Sequence, residues 1–236
     1  MDIKQIVAER IAQITERVMP ADTDRDVAFL NFGLHVKAGV FDPSRGRSAR
    51  KMAEAIDLAP PRPNDRVLEM GAGAGGLTIH MAKNHGATDI TALDIMPQAV
   101  ACARENFARH GLDHVRLNVS DLFAAVREEI FVPGGGKYDY IVFNAPTAHP
   151  AALASLKGAV TLWDHTGSVK SRFIEQAKAY SSPDARILMM YSKYADYDSL
   201  ANLDLRGFEQ RRLLVSRDDI SEAGVLLLRK LPVAAP

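Results

Sequence analysis

Cysteine and net charge are what this sequence has least of. Its 236 residues contain one cysteine, Cys102, which excludes an internal disulfide and a metal site built from several thiolates. The 29 basic side chains match the 29 acidic ones, so the formal net charge is zero. A chain without net charge has no overall field that attracts nucleic acid, although a local basic patch is still compatible with it.

Long apolar runs are also missing. No stretch of the sequence has enough consecutive apolar residues to span a bilayer, and the charged N-terminal segment does not resemble a signal peptide. We therefore expect a cytoplasmic location and no membrane contact. The histidines and carboxylates show no spacing such as HxxxH, so the sequence predicts no metal site.

Strand and helix patterns alternate through most of the chain. Apolar strand patterns occur at RVLEM, DITALDI, VRLNVSD, YDYIVFNA and ARILMMYS, with amphipathic helix patterns between them. Two last strand patterns, FEQRRLLVSRDD and AGVLLLRKL, follow one another across a polar turn. The alternation predicts an α/β fold, a doubly wound parallel sheet with helices on both faces and an antiparallel strand near the C-terminus.

The first 60 residues depart from this alternation. Apolar residues from Ile3 to Val18 recur at helical spacing, and a second helix pattern begins near Ser48. The proline-rich segment APPRPND then marks a boundary. We predict a small N-terminal helical module, residues 1–60, that caps the cleft of a main domain, residues 61–236.

A glycine-rich segment, VLEMGAGAGG, joins the first strand of the main domain to its helix. Gly71, Gly73 and Gly76 follow the GxGxxG pattern, which permits a sharp turn and lets an anionic ligand reach the helix N-terminus. Glu69 would oppose a pyrophosphate but suits an ammonium group, such as the methionine end of S-adenosylmethionine (SAM). Asp94 ends the next strand pattern, where an acid can accept hydrogen bonds from ribose hydroxyls. A tight turn without a ligand is the alternative.

Together these segments resemble the class I SAM-dependent methyltransferases. The resemblance rests on VLEMGAGAGGLTIHMAK, ALDIMPQAVACARENFARHGL, NVSDLF and YDYIVFNAP, and it extends over about residues 39–231. It implies a Rossmann-like sheet of seven strands with a reversed C-terminal hairpin, and SAM as cofactor. It also implies SAM contacts at Glu69, Gly71, Ala72, Gly73, Asp94, Ile95, Asp121, Leu122 and Asn144. Capping of the helix that follows is the alternative role of Asp121.

The strand pattern YDYIVF ends in Asn144-Ala145-Pro146-Thr147. One branch of the resembled family ends the same strand in Asn-Pro-Pro-Tyr and methylates glutamine amides or exocyclic amines of nucleic-acid bases. Such nitrogens attack poorly because their lone pair is delocalised, so two acceptors, the Asn144 side chain and the Ala145 carbonyl, would fix the NH2 group for in-line attack. Pro146 would stiffen the loop. We assign these three residues to catalysis, with an ordinary turn as the alternative.

Two departures from that branch bear on the substrate. Ala145 replaces a proline, and Thr147 replaces the aromatic residue that would stack on a planar substrate, an interaction worth roughly 1–3 kcal/mol. A small-molecule acceptor is therefore expected in preference to protein glutamine or RNA, which stay open. The candidate substrate contacts are Phe41, Thr147, His149 and Trp163. Each has an ordinary alternative, in packing, loop exposure or loop anchoring.

The expected activity is methyl transfer from SAM to nitrogen, and three alternatives stay open. The first is O-methylation of a small molecule with His149 or His165 as base. The second is a nicotinamide-dependent oxidoreductase, which fits the glycines but neither Glu69 nor the Asn-Ala-Pro-Thr loop. The third is a SAM-binding subunit without activity of its own.

Overall fold

The structure is a computed structural model that describes residues 23–127, 137–146, 168–194, 197–217 and 221–232, together with residues 9, 13, 17 and 18. These last four residues have helical conformation, and the rest of the predicted helix from Ile3 to Val18 lies outside the described residues. None of the helices in the described ranges is both long and apolar enough to cross a membrane.

A β-hairpin opens the first continuous described range, residues 23–127, and alternating strands and helices follow it. The hairpin consists of β1 (Arg25–Phe29) and β2 (Phe32–Val36). The helices are α1 (Arg47–Leu58), α2 (Gly76–His85), α3 (Pro97–Arg109), α4 (Ala124–Arg127) and α5 (Ser168–Tyr180). The remaining strands are β3 (Val67–Met70), β4 (Ile90–Asp94), β5 (Arg116–Val119), β6 (Tyr138–Phe143), β7 (Ser181–Tyr194), β8 (Tyr197–Asp198), β9 (Phe208–Arg217) and β10 (Ser221–Lys230).

Seven of the described strands form one continuous sheet. Their order is β5-β4-β3-β6-β7-β10-β9, and the short β8 pairs with β7 beside this path. The pairs from β5 to β7 are parallel, whereas β10 runs antiparallel to both β7 and β9. This arrangement confirms the predicted Rossmann-like α/β fold with its reversed C-terminal hairpin.

Neighbouring residues on the central strands belong to two different apolar clusters. Val67 and Val142 lie in one cluster with side chains of the hairpin, α1, α2 and α3. Leu68 and Ile141 lie in the other with side chains of α4 and α5. Successive side chains of a strand point to opposite faces of the sheet, so both faces are covered and strands β3 and β4 are buried along their whole length.

The hairpin is the element that the sequence did not lead us to expect in the first 60 residues. Its inward-facing Phe29, Phe32, Leu34 and Val36 are buried, and they share one cluster with Val67 and Leu77 on the other side of residue 60. The N-terminal segment is therefore not purely helical within the described residues. The division of the chain at residue 60 stays a prediction.

Candidate functional site

The predicted site residues follow the carboxyl ends of adjacent parallel strands. Met70 at the end of β3 is paired with Leu93 of β4 on one side and with Phe143 of β6 on the other. The ends of β4 and β5 are likewise joined, because the Ser120 N–H donates to the Asp94 carbonyl at 2.8 Å. This register brings the glycine loop, Asp94, Asp121 and Asn144 to one edge of the sheet, where ligands bind in open α/β folds.

The first part of the glycine loop leaves room for a ligand. Gly71 and Gly73 have φ angles of 74° and 55°, in the left-handed region that favours glycine. The Gly71 and Ala72 N–H groups donate to the Leu93 carbonyl at 2.7 and 3.0 Å, which fixes the turn against β4. A Cβ atom added to Gly73 would meet nothing within 4 Å, so this backbone is open to a ligand.

The second part of the loop is filled by packing. A Cβ on Gly75 would lie 2.5 Å from Cε1 of Phe107 on α3, and one on Gly76 would lie 2.8 Å from Cδ1 of Phe29 in the hairpin. These two glycines therefore serve close approach of α3 and of the hairpin. The GxGxxG pattern combines two physical requirements, an open turn and a tight helix start.

Glu69 is buried beneath the loop. Its side chain is 2% exposed, and it accepts a hydrogen bond from the Thr78 hydroxyl on α2. Burial raises the pKa of Glu69 to about 8, and the Thr78 hydrogen bonds oppose this shift without cancelling it. An ammonium group beside Glu69 would favour the ionised carboxylate and offset its desolvation. Thr78 has no signal in the glycine pattern, and the sequence reasoning missed it.

Asp94 fastens the glycine loop to β4. One carboxylate oxygen accepts from the Gly73 N–H at 2.9 Å, and the other accepts from the Met96 N–H at 2.9 Å. Burial raises the pKa of Asp94, although hydrogen bonds from the Met96, Gly73 and Ile95 N–H groups act in the opposite direction. A carboxylate has about four lone-pair positions, so acceptor capacity is left for hydroxyl donors.

Apolar and charged side chains flank Asp94. Ile95 is 55% exposed although it is apolar, which suits the face of a planar group. Leu122 is buried and has a φ angle of 51°. Asp121 is exposed, and its carboxylate lies 2.6 Å from Nη2 of Arg172 on α5. The Ser120 Oγ accepts from the Ala125 N–H of α4 at 3.0 Å, and among the described residues no N–H of α4 donates to the Asp121 carboxylate.

Asn144 carries a buried acceptor that no other described residue satisfies. Its Oδ1 atom is inaccessible to solvent and has no hydrogen-bond partner among the described residues. An unpaired buried acceptor costs about 1–3 kcal/mol. Five other buried side-chain atoms of the described residues are also unpartnered, so the place of Oδ1 one residue beyond β6, together with its unpaired state, indicates a use for it. Ala145, next in the chain, is also buried. The atom is therefore suited to receive an N–H group from a ligand.

A buried lysine holds the loop after Asn144. Lys170 of α5 is 1% exposed, and its Nζ donates a hydrogen bond to the Pro146 carbonyl. This contact joins the Asn-Ala-Pro segment to a helix that packs on the sheet. Nothing in the local pattern SVKSRF singles out Lys170, and the sequence reasoning missed it.

The hairpin is tied to the glycine loop through Asn106 of α3. The buried Asn106 amide accepts from the His35 N–H at 2.8 Å, and it donates to the His35 carbonyl at 2.8 Å and to the Ala74 carbonyl at 2.9 Å. These three bonds connect β2, α3 and the loop. Asn106 lies in an ordinary helix pattern, so the sequence offered no sign of this role.

Among the predicted substrate contacts, Phe41 is the one that the structure describes. Its ring is half-buried and lies against Gly46, where an added Cβ would be 2.3 Å from Phe41 Cζ. Thr147, His149, Trp163 and the alternative base His165 lie outside the described residues. Phe41 therefore has an evident packing role, and its contact with a substrate stays a prediction.

Comparisons with known proteins place this geometry in a family. The model of the family described as "Methyltransferase small domain" matches residues 32–218. A 23S rRNA (uracil(747)-C(5))-methyltransferase of Proteus mirabilis is 27% identical over 182 residues, which are 76% of this chain and 44% of the relative. A release factor glutamine methyltransferase of Cereibacter sphaeroides is 33% identical over 110 residues, 46% of this chain and 37% of the relative.

The solved structures add a likeness of fold. A methyltransferase of Streptococcus mutans, in complex with S-adenosylhomocysteine (SAH), has a TM-score of 0.54 and 15% identity, covering 79% of this chain and 99% of its own. This low identity shows the fold alone. The curated relatives are longer proteins, of which the matched segments span 44% and 37%.

Proposed function

This chain belongs to the methyltransferase small domain family and is a SAM-dependent methyltransferase, and from that premise we propose that it methylates a nitrogen atom of its acceptor. The buried Oδ1 atom of Asn144, which has no hydrogen-bond partner among the described residues, carries the proposal. It lies one residue beyond β6, at the sheet edge that also holds the glycine loop. An amide or amino N–H is the group that would satisfy it.

The cofactor fits the part of the edge formed by β3, β4 and β5. Gly71, Ala72 and Gly73 would border the methionine end, whose ammonium group is complementary to the buried Glu69. The ribose hydroxyls would donate to Asp94, whose oxygens already accept from the Gly73 and Met96 N–H groups at 2.9 Å and keep further acceptor capacity. Ile95 and Leu122 would contact the adenine faces, and the exposed Asp121 would lie near its edge.

The acceptor nitrogen would be held rather than deprotonated. When bound, SAM supplies an electrophilic methyl group on a sulfonium. Asn144 Oδ1 and the Ala145 carbonyl would each accept one N–H of the acceptor, which orients its lone pair for in-line attack. The Pro146 carbonyl already accepts a hydrogen bond from Lys170, which favours the Ala145 carbonyl as the second acceptor. Lys170 keeps the loop in place before the acceptor arrives.

A carbon acceptor, as in the name of the rRNA relative, has less support from this chain. An unactivated ring carbon needs a covalent nucleophile such as a thiolate. The one cysteine, Cys102, is buried on α3, its thiol donates to the His35 carbonyl at 3.2 Å, and burial raises its pKa. A thiol in that state is a poor nucleophile. Nitrogen needs no such group.

The acceptor we favour is an amide carried by a protein. The comparisons give no support to the small-molecule acceptor expected from the sequence, since the two curated relatives are named for rRNA and for a release factor. The zero net charge and Thr147 in place of a stacking residue argue against a nucleic-acid base. A side-chain amide needs hydrogen-bond acceptors more than it needs a stacking surface.

Labelled SAM tests both parts of the proposal. The chain is incubated with methyl-labelled SAM and cell extract, and label is counted in the protein, RNA and small-molecule fractions. We expect label in protein, with Asn144→Ala lowering turnover at least a hundredfold while SAH affinity measured by calorimetry stays within about threefold. Turnover of Asn144→Ala near that of the wild type would overturn the acceptor role. Label confined to RNA or to small molecules would overturn the protein amide.

A further inference from the structure

Three potential metal ligands converge where the end of α1 meets the end of α2. Asp57 Oδ1 lies 2.9 Å from Nε2 of His80 and 2.8 Å from Nε2 of His85. One ligand atom from each residue lies within 4.8 Å of the other two, an arrangement that no other described histidine, cysteine or acidic residues reach as a group of three. The sequence pattern HxxxH could not reveal this cluster, because the two histidines are five residues apart and Asp57 comes from another helix.

The cluster sits at the edge of the sheet opposite the candidate active site. Helix α2 starts at the glycine loop beside the carboxyl end of β3 and returns the chain to the amino end of β4, so His85 lies at that amino end. The segment after α1 is bound there as well, since the Tyr140 hydroxyl donates to the Ala59 carbonyl at 2.8 Å. None of the three residues can therefore take part in methyl transfer.

We propose that Asp57, His80 and His85 form a binding site for a divalent transition-metal ion of the zinc class. Imidazole nitrogen and carboxylate oxygen are ligands that zinc prefers, at about 2.0–2.2 Å, which separates tetrahedral ligands by about 3.3 Å. The two nitrogen–oxygen distances of 2.9 and 2.8 Å need to widen only slightly to reach that value. Asp57, with 54% of its side chain exposed, has the freedom to make this adjustment, and the ion would replace both of its hydrogen bonds to the imidazoles.

Burial around the cluster suits a site with three protein ligands and one solvent position. The His80 side chain is 3% exposed and that of His85 is 16% exposed, and the rings meet edge to face with centroids 5.0 Å apart. Asp57 forms the outer side and gives an ion a way in from solvent. Water would complete the tetrahedron, as at zinc sites with three protein ligands.

Asn84 supplies the outer support that a histidine ligand needs. A metal-binding imidazole usually donates its second N–H to a carbonyl or carboxylate, which fixes the tautomer. His80 Nδ1 lies 3.0 Å from the Asn84 side-chain amide, one helical turn further along α2. The amide can present NH2 to an unprotonated Nδ1, or its oxygen to Nδ1–H when the metal takes Nε2. The same contact thus serves the metal-free and the metal-bound ring.

Metal binding would fasten α1 to α2 without changing the chemistry at the other edge. Any ligand that binds only the folded chain raises its stability by RT ln(1 + [L]/Kd). We therefore expect zinc to raise the unfolding temperature of the chain and to leave SAH affinity within about twofold. This readout also separates the metal site from the proposed methyl transfer, since either one can fail while the other holds.

The test uses the tag-free, chelator-treated chain, calorimetry with zinc chloride and thermal unfolding. We expect one zinc ion per chain, binding at least tenfold weaker in His85→Gln and in Asp57→Asn, and unchanged binding in His114→Gln, which alters an exposed histidine outside the cluster. Asp57→Asn keeps an oxygen acceptor for both imidazoles, so it isolates the loss of charge. SAH binding by each variant confirms that it is folded.

Cobalt substitution gives an independent readout if a variant does not fold. The wild-type chain should show the visible absorption of tetrahedral cobalt(II), and zinc should abolish it. Absence of saturable zinc binding to the wild type, or zinc binding by both cluster variants as tight as that of the wild type, would overturn the proposal. In that case the three side chains form a hydrogen-bonded cluster only.

Discussion

Glu69 is a carboxylic acid placed where water barely reaches it. Burial raises its pKa to about 8, whereas the ordinary value is 4.5, so the folded chain without cofactor keeps this proton at neutral pH. The unfolded chain loses the same proton near the ordinary value. The folded state therefore binds more protons than the unfolded state between these two values, and the free energy of unfolding must fall as pH rises through this window.

The first prediction concerns this pH window. Glu69→Gln keeps an oxygen acceptor for Thr78 but cannot ionise, so it should remove the part of the pH dependence that Glu69 causes. Urea unfolding from pH 5.5 to 8.5 should show the variant gaining stability relative to the wild type as pH rises, on the order of a few kcal/mol across the window. Other titrating groups cancel in the difference between the two proteins.

A parallel pair of curves for wild type and variant would contradict the raised pKa. The same pair of proteins also tests the ammonium contact. Binding of SAH near pH 7 should release a proton from wild-type Glu69, which calorimetry in two buffers of different ionisation enthalpy detects, and Glu69→Gln should lack this release. Equal proton release by both proteins would mean that the ammonium group does not meet Glu69.

At the scale of single residues, the sequence was informative for acidic residues that lie next to a recognisable motif. The positions of Glu69 and Asp94 on β3 and β4 were predictable because each stands at a fixed offset from the glycine loop or a strand end, and their contacts with SAM stay a prediction. Thr78, Asn106 and Lys170 were not, because their roles depend on which helix faces the site after folding. The unpaired state of Asn144 Oδ1 is also a property of packing and has no signature in the residue string.

At the scale of elements, the glycine loop is held between α3 and the hairpin. Phe107 fills the space beside Gly75, and Phe29 fills the space beside Gly76. Asn106 then fastens β2 to the loop carbonyl of Ala74. The hairpin is thus part of what shapes the glycine loop, which gives residues 25–36 a structural role in the candidate site.

The second prediction separates the two duties of the loop glycines. Gly75→Ala combines a left-handed φ of 84° with a clash at 2.5 Å against Phe107, so it should destabilise the fold by roughly 2–5 kcal/mol. Gly73→Ala, at φ 55° with free space around it, should cost about 1–2 kcal/mol in stability but lower SAH affinity at least tenfold. Urea unfolding and calorimetry measure the two effects.

Gly111→Ala is the matched control for backbone strain. Gly111 has a φ of 65° and open space around it, but it lies after α3, away from the cofactor edge. It should show the stability cost of Gly73→Ala without the loss of SAH affinity. If both variants lose affinity equally, strain rather than ligand contact explains the effect at Gly73.

The parallel strands were predictable as elements, and the hairpin was not. Strands β3 and β4 are buried along their whole length and are bounded by turn residues, which gives them an unmistakable pattern. In the hairpin segment, apolar and polar residues alternate only over two short strands. The chain turns at Leu30, which has a left-handed φ of 53° that a leucine rarely adopts. Its stability comes from packing on Gly76 and α3, which is tertiary information.

At the scale of the whole molecule, the sheet separates two kinds of site. The carboxyl edge gathers Glu69, Asp94 and Asn144, which suit a cofactor and a nitrogen acceptor. The amino edge gathers Asp57, His80 and His85, which suit a metal ion. The composition of the carboxyl edge could be predicted from the sequence, because alternating strands and helices indicate parallel strands whose carboxyl ends lie together. The cluster at the amino edge depends on how α1 and α2 pack against each other, which no local pattern encodes.

The last prediction concerns the rise in unfolding temperature that cofactor binding should cause. SAH should stabilise the chain by about 2.7 kcal/mol at a concentration of one hundred times its Kd. For a chain of this size each kcal/mol raises the unfolding temperature by roughly 2–4 °C, so the expected shift is roughly 5–10 °C.

Asn144→Ala should keep most of this shift, because the side chain is proposed to hold the acceptor rather than the cofactor's ribose or ammonium group. NAD at the same concentration should cause no shift, since its pyrophosphate brings no ammonium group to the buried Glu69. A shift with NAD and none with SAH would contradict the assignment of Glu69 and Asp94 to SAM. A full SAH shift without methyl transfer to any fraction of the extract would instead identify a SAM-binding subunit without activity of its own.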